Sequence, residues 1–227
     1  MTVTLLDMAI TVAAYAISRL INRRFPFPFT VPVLLSTLLV MGAITLTGGG
    51  LAGYRGASDA ITWWLGPAIV SLAVPLYCHR QVLIDHGPRV LAAVGGGTAV
   101  AMVTALVLSR LLGLDMALQG ALVLKTATAP IGIALASRVG ADAPIVAGMV
   151  VASALTGTII GPALLTRLGV TNPLGRGMAL GTISSGQGVA AAFREGDLTG
   201  ATATVAMALA ALAVALLAMP LATWLAT

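Results

Sequence analysis

Long apolar segments take up nearly the whole chain, at roughly 4–20, 29–47, 60–79, 89–112, 117–137, 143–166, 177–193 and 200–225, with short linkers between them. A crossing of the bilayer takes about 20 such residues. In lipid the backbone must satisfy its own amides and carbonyls, which leaves helices and closed barrels. These segments are continuous in Ala, Val, Leu and Gly and lack the alternation of a barrel strand. The chain therefore reads as an all-α integral membrane protein. Only 8% of its residues are charged, against about 25% in soluble domains, and no polar stretch is long enough to build a soluble domain.

The expected architecture is one transmembrane domain over 1–227, with 1–112 as scaffold helices and 117–166 and 177–225 as internal repeat units. About six helices would span the membrane, by the ~20-residue criterion. Two short segments would be interrupted or re-entrant and form an inverted repeat. A sequence pI near 10.4 would point to nucleic acid in a soluble protein; here the arginines sit in short loops and report topology instead. The one cysteine, Cys78, leaves no internal disulfide or thiolate cluster. The first apolar run has no basic leader and carries Asp7 near its start, as a retained helix rather than a cleaved signal would.

Inside the segment Leu118 to Ala136 stands a lone cation, in Lys125-Thr126-Ala127-Thr128-Ala129-Pro130-Ile131-Gly132. A charge at membrane depth is costly unless it faces a partner, a cavity or a ligand. No carboxylate lies inside an apolar segment except Asp7, near an end, so an anionic substrate is the natural counter-charge. Pro130 lacks an amide proton and Gly132 loosens the chain, which would free backbone groups nearby.

Shifting the chain by 56 residues lays this stretch on Gly181-Thr182-Ile183-Ser184-Ser185-Gly186-Gln187-Gly188. Thr126 then matches Thr182, Thr128 faces Ser184, and Gly132, Arg138 and Gly140 match Gly188, Arg194 and Gly196. Paired interruptions of this kind are the best sequence pointer to a transporter site. If both segments are re-entrant hairpins, Arg19, Arg23, Arg24, Arg80, Arg89, Arg167, Arg176 and Arg194 share one side, with Arg55, Arg110 and Arg138 on the other. If both cross as broken helices, Arg138 changes places with Arg167 and Arg176. The hairpins fit the positive-inside rule better and put both termini outside.

The candidate substrate-binding residues are Lys125, Thr126, Thr128, Thr182, Ser184, Ser185, Gln187 and Tyr77; the candidate hinges or helix breaks are Pro67, Pro75, Pro130, Gly132, Gly181, Gly186 and Gly188. Singly, each hydroxyl is as well explained by helix-to-helix bonding; jointly, the two clusters point to a site. No metal-ligand spacing, P-loop or nucleophile elbow is present, and Ser184-Ser185 has no buried histidine or acid to activate it. Neither a cofactor nor catalysis is expected.

Leu65-Gly66-Pro67-Ala68 through Val74-Pro75-Leu76-Tyr77, the Lys125–Ile131 stretch, and Arg176-Gly177-Met178-Ala179-Leu180-Gly181-Thr182 together resemble the LrgB/CidB family, in order and over nearly the whole chain. The resemblance implies a multi-pass protein of the bacterial inner membrane. Members are described as holin- or antiholin-like regulators of murein hydrolase activity, often working beside a small LrgA/CidA-type membrane protein. A plastid relative translocates glycolate and glycerate, and bacterial relatives are linked to pyruvate. The family usually has a histidine where this chain has Ser185, and often an asparagine before the early proline, where this chain has Val31-Pro32.

The resulting expectation is a secondary carrier of small monocarboxylates, with a holin-like regulator as the rival. A small organic anion, a coupling proton or sodium ion, membrane lipid and further copies of the chain are the partners it would have.

Overall fold

In a computed structural model, residues 2–25, 30, 32–47, 50–64, 67, 70, 71, 73–78 and 80–225 are described. Every regular element among them is helical: α1 (Thr2–Arg24), α2 (Pro32–Thr47), α3 (Gly50–Trp63), α4 (Ala73–Cys78), α5 (Arg80–Asp85), α6 (Gly87–Leu111), α7 (Met116–Val123), α8 (Ala129–Ala136), α9 (Ala143–Arg167), α10 (Pro173–Glu195) and α11 (Asp197–Leu225). Four helices are long and apolar enough to cross a membrane, at Leu5–Arg24, Gly87–Leu111, Ala143–Arg167 and Asp197–Leu221. Shorter apolar helices lie at Pro32–Leu46 and Ala129–Val139. The contacts part the chain into two compact units, Met1–Ala73 and Val74–Thr227.

In the first unit α1 packs on α2 and α3. Ala14, Val40 and Ala57 are buried with Ser18, whose hydroxyl returns to the Ala14 carbonyl at 2.7 Å. Thr11 and Tyr54 join α1 to α3 hydroxyl to hydroxyl, 2.8 Å apart. The sequence reading treats 48–59 as the join between two segments, whereas Gly50–Trp63 is one helix that takes in Asp59. Its glycines and charges hide an amphipathic pattern that buries Ala57 and half-buries Tyr54 and Ser58. The membrane-surface elbow expected at the first linker falls largely on 26–29, outside the described residues.

The second unit holds two stretches in one register, and that register begins at α6, which the sequence expectation counts among the scaffold helices. α6 and α9 each have 25 residues, and both their first residues (Gly87, Ala143) and their last (Leu111, Arg167) stand 56 apart. The register thus extends upstream of the motifs that reveal it. Each long helix ends two residues before a left-handed glycine, Gly113 (φ 64°) or Gly169 (φ 72°), where L side chains are strained. Asp115 then caps α7 by accepting from the Leu118 amide at 2.8 Å, and Asn172 caps α10 by accepting from Leu174 at 2.9 Å. Pro88, Pro144 and Pro173 sit in first turns, where no amide donor is needed.

Both interrupted segments double back. A Cβ placed on Gly120 would lie 2.7 Å from the Val139 carbonyl oxygen and 3.1 Å from Ala141 Cβ. Residues 120 and 139 of a continuous helix would be about 28 Å apart. In the second copy the limbs 173–184 and 186–195 meet at Ser185, which has φ 48° and ψ −136°. There a Cβ on Gly188 would run into the Leu180 carbonyl. Each hairpin returns to the end from which it left, so α9 runs opposite to α6 and the two copies are inverted.

α11 is the post against which both hairpins lean. Gly177 and Gly181 press the first limb of α10 onto the backbone of Thr199 and Ala203, and Ala201, Ala203, Ala206 and Ala210 are buried. Small residues let helices approach closely where lipid offers no hydrophobic drive. Further along, Val214 and Ala218 pack with Leu124, Ala127, Val139 and Val146, seating the first hairpin.

Candidate functional site

The first hairpin leaves helical geometry after a single 3-10 turn, Leu124–Thr126, and Ala127 and Thr128 are extended (ψ 168° and 150°). Pro130 then falls in the first turn of α8, where its missing amide costs nothing. The expectation that Pro130 and Gly132 open the backbone is therefore corrected. The break lies at Ala127–Thr128, and Gly132 is a packing residue whose Cβ would lie 2.9 Å from Val146. Gly181 and Gly188 make close backbone contacts, and the second break is at Ser185. Gly186, with open space around it, is its neighbour. A positive φ on a serine costs on the order of 1–3 kcal/mol, and such strain clusters at functional sites.

The two tips meet. The Ser185 hydroxyl donates to the Ala127 carbonyl at 3.3 Å. Beside this joint, Lys125, Thr126 and Ser184 open on one cavity of about 610 Å³, walled along its length by α9 from Met149 to Leu165. Lys125 is half-buried, with no carboxylate at ion-pair distance among the described residues. Thr126 is 3% exposed and Ser184 0%, and neither hydroxyl has a hydrogen-bond partner. Few buried polar groups in a protein go unpaired, and each costs about 1–3 kcal/mol.

The other candidates are placed differently. Gln187, half-buried at the start of the second limb, has an unpartnered side-chain oxygen but does not line the cavity. Thr182 donates to the Met178 carbonyl of its own helix at 2.7 Å. Thr128 holds the N-cap position of α8 without a side-chain cap bond. Tyr77 is exposed, with the Arg80 guanidinium 4.2 Å over its ring, and lines no part of the cavity. Pro67 is exposed and helical, and Pro75 lies within α4. No group of His, Cys, Asp or Glu among the described residues could hold a metal ion.

Sequence reasoning missed the wall. Gly157 and Gly161 seat Ser184 and Leu180 and also line the cavity, with Ser153 and Thr156 beside them. It also missed the lock at the base of the second hairpin, where Arg176 pairs with Glu195 at 2.6 Å and donates to Thr166 Oγ1 and the Val170 and Pro162 carbonyls. The pairing raises the Arg176 guanidinium above its ordinary value, chiefly through its hydrogen bond to Glu195.

The model of the LrgB-like family matches residues 11–224, a stretch that takes in both hairpins and the cavity. The chain belongs to the LrgB-like family. As an LrgB-like protein it is a multi-pass membrane protein, in keeping with a bacterial membrane. It is 31% identical over 223 residues to the uncharacterized protein YxaC of Bacillus subtilis (strain 168), covering 98% of this chain and 96% of that one. To the antiholin-like protein LrgB of the same organism it is 26% identical over 202 residues, covering 88% and 87%. To the holin-like protein CidB of Staphylococcus aureus (strain Mu50 / ATCC 700699) it is 24% identical, covering 69% of each chain. No solved structure matches the LrgB-like chain.

Proposed function

We propose that this chain is a secondary carrier of a small monocarboxylate, of the glycolate, glycerate or pyruvate type, across the bacterial inner membrane. The observation that carries the reading is one cavity lined by Lys125, Thr126 and Ser184 from two inverted hairpins, where the hydroxyls of Thr126 and Ser184 are buried and have no partner in the free protein. A carboxylate would neutralise Lys125, and the hydroxyls would donate to its oxygens or to a neighbouring keto or hydroxyl group. Leaving such donors empty costs free energy that a ligand recovers. The second limb of each hairpin also begins at its tip, so two half-helix N-termini start where the tips meet, the kind of arrangement transporters use for anionic groups.

Rocking one hairpin-and-helix unit against the rest would open the cavity to alternate sides, driven by a proton or a sodium ion. Purified protein in liposomes tests this: uptake of labelled glycolate or pyruvate that saturates and shows counterflow, with a trapped dye retained, supports the carrier. A second reading comes from the relatives named antiholin-like and holin-like. It makes the chain a regulator of murein hydrolase activity, acting through an assembly in the membrane with its own copies or with a small LrgA/CidA-type protein. Release of the dye without saturable uptake favours that reading.

A further inference from the structure

The cavity is far longer than the stretch of it that Lys125, Thr126 and Ser184 line. Its α9 wall runs from Met149 to Leu165, about 24 Å at helical rise. A three-carbon acid spans only about 5 Å at ordinary bond lengths. Gly157 holds Ser184 and so marks the level of the tips, with Leu122 and Met149 towards one end and Leu164, Leu165 and Leu180 towards the other. Its volume is about 610 Å³, and Ile160 and Leu164 on its wall are about half exposed, so it is a long open groove rather than a closed chamber. A two- or three-carbon acid would satisfy Lys125 and the hydroxyls yet leave most of this apolar wall unfilled.

We infer that the cavity takes 2-oxo or 2-hydroxy monocarboxylates bearing an alkyl tail, the carboxylate on Lys125, the 2-oxygen on Thr126 and Ser184, and the tail along the leucines of α9. This rests on the carrier reading above and names its ligand class. Each methylene moved from water onto an apolar wall should strengthen binding about fourfold, until the wall is covered.

The test is direct binding of pyruvate, 2-oxobutanoate, 2-oxopentanoate and 2-oxohexanoate to the protein in lipid nanodiscs, with empty nanodiscs correcting for partition. Kd should fall about fourfold per added methylene, and Leu164→Asn should flatten the series. If pyruvate binds and the longer acids bind equally or more weakly, the tail is refuted and the carrier reading stands. If no acid binds, or Lys125→Met binds the whole series as tightly as the parent, the carrier reading falls and takes the tail with it.

Discussion

Arg176 Nε stands 2.6 Å from a Glu195 carboxylate oxygen, across 19 residues of chain. A straight helix would hold the two about 28 Å apart. Their pairing, with Gly120 against Val139 at the same two positions of the other copy, fixes both segments as hairpins rather than crossings. The copies are stitched differently, one by backbone contact and one by a charged network that also holds the end of α9.

Removing that network should cost stability but not insertion. Hydrogen bonds to a charged group contribute about 1.5–3 kcal/mol, so Arg176→Ala should lower the thermal midpoint of the purified protein clearly. The double swap Arg176→Glu with Glu195→Arg should recover part of the loss. No recovery would mean the two side chains do not act as a pair.

Emptying the site of its unpartnered hydroxyls should have the opposite sign. Thr126→Ala and Ser184→Ala each delete a buried group that lacks a partner in the free protein. The variants should be as stable as the parent or up to about 1 kcal/mol more stable, while substrate binding weakens. Such a trade between stability and function marks a residue kept for its ligand. Loss of stability in both would make them structural.

Packing glycines and the open one should separate cleanly. A side chain at Gly181 would collide with the Ala203 backbone, whereas one at Gly186 meets nothing within 4 Å. Gly181→Val should destabilise by at least the 1–3 kcal/mol of an overpacked core, and Gly186→Ala should be tolerated, read by thermal unfolding in detergent.

The sequence showed the helical class, the lysine between its hydroxyls and the 56-residue register, because each leaves a local mark: an unbroken apolar run, a charge within it, and glycines and hydroxyls recurring in step. What it hid depends on residues distant along the chain. Gly181 passes for a hinge until Ala203 is seen against it. Ser185 passes for a ligand, although it is the turn itself, with a positive φ seldom found on serine. The cavity wall on α9 mixes Met149, Ile160, Leu164 and Leu165 with Ala, Ser, Thr and Gly, residues that suit helix packing and cavity lining alike.

The inverted arrangement fixes sidedness. Arg89, Arg167, Arg176 and Arg194 lie at one end of the second unit, Arg110 and Arg138 at the other, so the positive-inside rule places the first end in the cytoplasm. With Cys78→Ser as background, an impermeant maleimide should label Arg138→Cys in intact spheroplasts and Arg194→Cys only after permeabilisation. Labelling of both from one side would contradict the inversion.

The most direct measurement is uptake of labelled pyruvate or glycolate by Lys125→Met in proteoliposomes beside the parent protein at equal incorporation. The parent should take up the acid saturably and the variant should lose that uptake, with the fold intact by circular dichroism. Undiminished uptake by Lys125→Met would contradict the site at Lys125.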